Sequence, residues 1–112
     1  MSGALISIGD DHAMQGNGGV GLSAVETSLQ GEVQIVLHRG MHVGWSRAET
    51  PTHYMTMGLH EDLNMAAKMA TREMLNFVVE TKGLPRDDAY MLLSAAMDLQ
   101  ATEIVDRKHT TG

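Results

Sequence analysis

The sequence predicts an α+β domain in which short, mostly antiparallel strands come first and two helices follow to cover one sheet face. Three observations carry this. Apolar and polar residues alternate in the first half of the chain. From Glu61 onward the apolar residues recur at three- and four-residue steps. The Gly83–Pro85 link is short enough to make the two helical segments sequential neighbours.

Ala4 to Ile8 is a short apolar run ending at Gly9 and reads as a strand. Residues 9–21, GDDHAMQGNGGVG, contain five glycines in thirteen positions and read as a turn-rich loop. Leu22 to Thr27 resumes the alternation, and Gln30-Gly31 offers a turn. Glu32 to His38 sets Val33, Ile35 and Leu37 against Glu32 and Gln34, the clearest strand pattern in the chain. Arg39-Gly40 turns it, and Met41 to Trp45 reads as one more short strand.

Between Glu61 and Thr81 the apolar stripe is Leu63, Ala67, Ala70, Met74, Phe77 and Val78, a helical spacing. Glu61 and Asp62 sit in its first turn, where negative charge suits the helix dipole, and Gly83 suits the position just past its end. Pro85 opens a second helix, with Asp87 and Asp88 in the first turn and a stripe of Ala89, Leu92, Leu93, Ala96 and Met97. Gln100 to Val105 fits a helix extension or a final strand equally well. Residues 106–112 read as a frayed tail. No repeat or internal boundary interrupts residues 1–112, so the reading is one domain of ordinary size.

Bulk properties narrow the function. Apolar residues make up 43% and charged residues 20%, a globular composition. The net charge is -6, and the eight Lys and Arg residues form no basic stripe, so nucleic acid is not an expected partner. No apolar run reaches membrane-spanning length. The first residues lack the basic start of a signal peptide, and the absence of cysteine rules out disulfides and thiolate metal sites and fits a cytoplasmic protein. Ten methionines suit core packing, or an adaptable face toward a second copy or another domain.

Chemistry concentrates in the glycine-rich segment. Asp10 and His12 fall on one face of an extended chain and combine a carboxylate with an imidazole, a pair suited to zinc or another divalent ion. A third ligand would come from Glu26, His53 or another chain. The same residues also read as a polar turn with Asp10 as an Asx-type cap. Glycines 16, 18, 19 and 21 could present backbone N–H groups to an anion or an oxyanion. They match neither a dinucleotide fingerprint nor a P-loop, and they equally fit an awkward hairpin loop. Glu26, at a strand end, could ligate metal or act as a general base. His53, after Pro51, could ligate or shuttle protons. His38, His42 and His60 belong to no constellation, and no serine sits in a nucleophile elbow.

Taken in order, these segments resemble a known family. Ser7-Ile8-Gly9-Asp10-Asp11-His12-Ala13-Met14-Gln15-Gly16-Asn17-Gly18 is similar to the "GDxHAxxGDGE" segment of the acetamidase/formamidase family. Glu26-Thr27 matches the "E-T" of its next strand. Thr50-Pro51-Thr52-His53-Tyr54 through Gly58-Leu59 looks like its "ETPxHYxTxG" stretch. Gly83-Leu84-Pro85-Arg86-Asp87-Asp88-Ala89-Tyr90-Met91-Leu92 resembles its "GLsreDAYmL" helix.

The resemblance covers nearly the whole chain and corresponds to the family's C-terminal α+β portion. It implies hydrolysis of short linear amides such as formamide or acetamide, a reaction at carbon–nitrogen bonds other than peptide bonds. It implies a divalent metal ion, zinc or calcium, with Asp10 and His12 in the metal-binding region and Glu26 or His53 handling protons. Gly16, Gly18 and Gly19 would line the oxyanion or substrate loop. It also implies a β-rich N-terminal portion, here expected on another chain, or a homo-oligomer.

Two positions depart from the pattern. Asn17 stands where the family has an acid, and Gly19 where it has Glu. Each removes a carboxylate from the region where a ligand or base is expected. That leaves a second expectation: a non-catalytic remnant, or an assembly or small-molecule-binding module. His60 and Pro85 replace the family's capping Asp and Ser, which would weaken both helix starts.

Overall fold

The computed structural model describes residues 5–105. The expected tail at 106–112 and the first residue of the expected Ala4–Ile8 strand lie outside them. The described residues form two compact units, residues 5–36 with 101–105 and residues 37–100. Its elements are four short strands in two antiparallel pairs, followed by two helices. This is the expected α+β order.

In the first unit, β1 (His12–Met14) pairs antiparallel with β2 (Val25–Glu26). His12 stands opposite Glu26 and Met14 opposite Val25, so the register slips between His12 and Met14. The Thr27 N–H donates to the Asp11 carbonyl at 3.1 Å and carries the pairing one step further. Between the strands, Gly18 (φ 100°) and Gly19 (φ 40°) make the turn that the glycine content predicts. The Gly18 N–H donates to the Thr102 carbonyl at 3.2 Å. Residues 100–105 are therefore neither helix nor strand; irregular chain from this stretch packs on the glycine loop.

In the second unit, β3 (Arg47–Glu49) pairs with β4 (Tyr54–Thr56), Ala48 opposite Met55. Thr50 closes the turn: its N–H donates to the His53 carbonyl at 2.9 Å, and its Oγ1 accepts from the His53 N–H at 3.0 Å. Helix α1 (Leu63–Lys82) starts at Asp62, whose carboxylate accepts from the N–H groups of Asn64 and Met65 at 2.7 and 3.2 Å. Asp62 thus supplies the cap that His60 was expected to weaken. His60 has another part, its Nδ1 accepting from the Asp62 N–H at 2.9 Å. Gly83 ends α1 in the left-handed conformation (φ 66°), its N–H donating to the Val79 carbonyl. Helix α2 (Arg86–Ala96) follows Pro85 without a side-chain cap, as the sequence predicts, and Asp87 and Asp88 occupy its first turn.

The core is where the helices meet. Leu75 of α1 and Ala89 and Leu93 of α2 are buried, with Met74, Val78, Val79, Leu84 and Met97 packed around them. The β3–β4 hairpin lies on α1. The Thr56 hydroxyl donates to the Ala70 carbonyl at 2.9 Å, and the Tyr54 and Phe77 rings sit 5.0 Å apart. Arg47 spans the join: it pairs with Glu73 at 3.6 Å and Glu80 at 3.2 Å and lies over the Phe77 ring. Gly58, between β4 and α1, runs so close to Ala66 and Ala70 that a Cβ there would collide with helix backbone.

Three expected strands do not form. Residues 5–8, Glu32–His38 and Met41–Trp45 carry no strand structure. A strand exists only as part of a ladder, and among the described residues nothing pairs with the backbone of these segments. Their apolar side chains stay in the open: Ile8 is 70% exposed, Val33 59%, Ile35 66% and Leu37 60%. The strands that do form run two or three residues each, too short to display a period.

Candidate metal centre

The pairing of β1 with β2 assembles a site. Residues directly opposite in an antiparallel pair project to the same face, and His12 is opposite Glu26. The two side chains meet, with His12 Nε2 3.0 Å from Glu26 Oε2. Asp10 comes in from the irregular segment just before β1, its Oδ1 3.3 Å from the same nitrogen. It does so through an uncommon backbone, since Asp10 is the one non-glycine residue with positive φ (62°) among the described residues. Such a conformation costs about 1 kcal/mol or more and persists where the surroundings impose it.

Glu26 and His12 each have a second contact. Glu26 Oε1 accepts from the Ala24 N–H at 3.1 Å, which turns the carboxylate toward β1. His12 Nδ1 bonds Gln15 Oε1 at 2.6 Å. An imidazole donating from Nδ1 to Gln15 keeps Nε2 aimed at the two carboxylates. That is the arrangement by which an outer partner fixes the tautomer of a ligating histidine. The Gln15 bond is the main cause that holds the His12 pKa above the ordinary imidazole value. Partial desolvation works against it, and the charges of Glu26 and Asp10 add to it.

The donor set fits a small divalent ion. One imidazole nitrogen and two carboxylate oxygens lie within 4.8 Å of one another. Tetrahedral zinc with bonds of about 2.0–2.2 Å needs donors about 3.3 Å apart, a modest contraction from that spread. Calcium wants six to eight oxygens, so the imidazole and the short donor list favour zinc. The group is open: the side chain of His12 is 19% exposed, Glu26 55% and Asp10 86%.

Beside the group, Gln15, Gly16, Asn17, Gly19 and Ser23 line an open depression of about 220 Å³. Two glycines expected to present N–H groups there are constrained. Gly18 gives its N–H to Thr102, and Gly19 packs on Glu103. Gly16 has open space around it. His53 belongs to the second unit, at the β3–β4 turn, where its Nδ1 lies 2.7 Å from the Thr52 hydroxyl.

Sequence spacing suggested Asp10 and His12 and offered Glu26 and His53 as alternatives for the third ligand; the structure brings Glu26 to them. It missed Gln15, which the three-residue step from His12 could have flagged. No family model, curated protein or solved structure matches the chain. Among the described residues, no helix is long and apolar enough to cross a membrane.

Proposed function

We propose that this chain is an amidohydrolase-type domain acting on short linear amides, with a divalent ion, best zinc, at Asp10, His12 and Glu26. The observation that carries the reading is the convergence of these three side chains on one point, with Gln15 bracing the histidine from behind. A bound zinc ion supplies polarisation of the amide carbonyl and a lowered pKa for coordinated water. The rest falls to the chain. Asp10, His12 and one carboxylate oxygen of Glu26 would hold the ion, and the other Glu26 oxygen, oriented by the Ala24 N–H, would accept a proton from water and return it to the departing nitrogen. Hydrolysis adds water across the C–N bond, giving a carboxylate and an ammonium ion. Formamide and acetamide are small enough for the depression beside the group.

The site is composite in this proposal. Among the described residues three buried hydrophobic side chains make a small core, and the exposed Val33, Ile35 and Leu37 suit coverage by a β-rich partner chain or a second copy. The likeness of the loop, the Glu26-Thr27 step and the helix pair to the acetamidase/formamidase pattern supports the substrate class. A cytoplasmic setting accords with the lack of cysteine.

One observation favours a second reading, a non-catalytic binding or assembly module. A Cβ at Gly19 would stand 3.2 Å from Glu103 Cα and 3.3 Å from the Thr102 carbonyl oxygen, so this packing leaves little room for the acid that the family pattern places there.

Zinc titration against a chromophoric chelator, together with ammonia release from formamide and acetamide, tests the proposal. The expected result is one bound zinc, lost in His12→Ala, and zinc-dependent ammonia release that increases when a β-rich partner is supplied. Failure to bind any divalent ion below about 1 mM would overturn the metal-hydrolase reading.

A further inference from the structure

The basic residues of this acidic protein are not evenly spread. The chain carries eight Lys and Arg against fourteen Asp and Glu. Three of the eight, Lys68, Arg72 and Arg86, line one groove between α1 and α2, and no acidic residue lines it. Lys68 and Arg72 are one helical turn apart, so their charges repel. Among the described residues neither has an ion-pair partner. Arg86 reaches across from the start of α2, where its Nη1 donates to Asn76 Oδ1 of α1 at 3.0 Å. That bond fixes the guanidinium in place and leaves its other nitrogen atoms to bond elsewhere. An uncompensated positive strip is thus set along a fixed helix–helix seam.

The groove is not only charged. Leu75 forms part of its lining from the core, and Tyr90 and Leu99, exposed at 60% and 57%, stand along it. It is an open surface trough of about 440 Å³, unlike the enclosed pockets that bury most of a small ligand. A chain segment laid along the seam would satisfy both features, its carboxylates meeting the cations and its apolar side chains covering Tyr90 and Leu99. Nucleic acid fits less well, because the groove offers a single aromatic ring, Tyr90, for base stacking and exposes Leu99, which a phosphate backbone does not cover.

We infer that the α1–α2 groove of Lys68, Arg72, Arg86, Tyr90 and Leu99 is a docking site for an acidic, partly apolar peptide segment of a partner protein. Charge complementarity selects this occupant, independently of the amide-hydrolase reading.

The test uses the full chain and a fluorescent, C-terminally amidated peptide alternating Glu with Leu, followed by anisotropy at low and at physiological salt. Binding is expected to weaken about tenfold or more in Lys68→Glu/Arg72→Glu, and also in Lys68→Ala/Arg72→Ala, where alanine preserves helix α1. Tyr90→Ala is expected to weaken the Glu/Leu peptide more than an all-Glu peptide. Circular dichroism of each variant checks that the helices remain. Unchanged affinity in the alanine pair, no binding of the peptide at low salt, or tighter binding of a short single-stranded DNA than of the peptide would each overturn the inference.

Discussion

His12 Nε2 and Glu26 Oε2 stand 3.0 Å apart because the β1–β2 register sets these two residues directly opposite one another. A contact across so short a ladder is what turns two separate stretches of sequence into one donor group. Replacing Glu26 by Gln keeps the shape and removes the charge. Zinc affinity, read by chelator competition, is expected to fall about tenfold or more, while the helical signal of the second unit stays as it was.

The pH response of His12 follows from the direction of its shift. Its folded pKa lies above the ordinary imidazole value of about 6.5, chiefly through the Gln15 bond and then through Glu26 and Asp10. The stability this gives is fully present below the unfolded pKa and is lost as pH rises through the folded one. Zinc must displace the same proton, so its affinity is expected to rise through that window. A proton NMR titration of the metal-free chain should give a midpoint above the ordinary value, lower in Gln15→Ala. A midpoint at or below the ordinary value would show that the Gln15 contact does not form in solution.

The glycine loop offers a matched pair of substitutions. Gly19 has φ 40°, and its missing Cβ would press on Glu103 and the Thr102 carbonyl. Gly16 has neither a positive φ nor a neighbour within 4 Å. Gly19→Ala is expected to destabilise the first unit by about 1 kcal/mol or more, and Gly16→Ala to be neutral or stabilising by about 0.4–1 kcal/mol. Hydrogen exchange at the Gly18 and Thr27 amides reads the difference directly.

Arg47 ties the β3–β4 hairpin to α1. Its side chain is 17% exposed and that of Glu73 14%, whereas Glu80 is 59% exposed. Arg47→Met leaves the Glu73 carboxylate shielded from water and unpaired, a cost of about 1–3 kcal/mol. Adding Glu73→Gln should recover part of that loss. Glu80→Gln alone should change stability by a few tenths of a kcal/mol. Denaturant unfolding of the four proteins separates these outcomes.

The helices were legible because each runs long enough to show its period, and because Gly83 and Pro85 punctuate them with local chemistry. Asp62 as the cap was legible only in part: its charge suited the first turn, but which residue bonded the free N–H groups depends on where α1 starts. The β3–β4 hairpin was not legible. Arg-Ala-Glu and Tyr-Met-Thr are too short for alternation, and their pairing rests on the Thr50 turn and on Phe77, Glu73 and Ala70 beneath them. The reverse error came from Glu32–His38, where strong alternation predicts a strand that finds no mate among the described residues. At the site, the two-residue step between Asp10 and His12 was visible, whereas choosing Glu26 over His53 required the register.

The left-handed backbone of Asp10 bears on how tolerance to mutation at this position should be read. Glycine and asparagine adopt that conformation readily, and branched or bulky residues do not. A library at position 10 selected for folding alone would therefore look restricted, with Asp, Asn and Gly surviving together, even if no ion were ever bound there. Selection for a ligand would separate Asp from the other two. The constraint that matters chemically is thus the Asp-against-Asn preference, and mere intolerance of other residues at this position reports the shape of the turn.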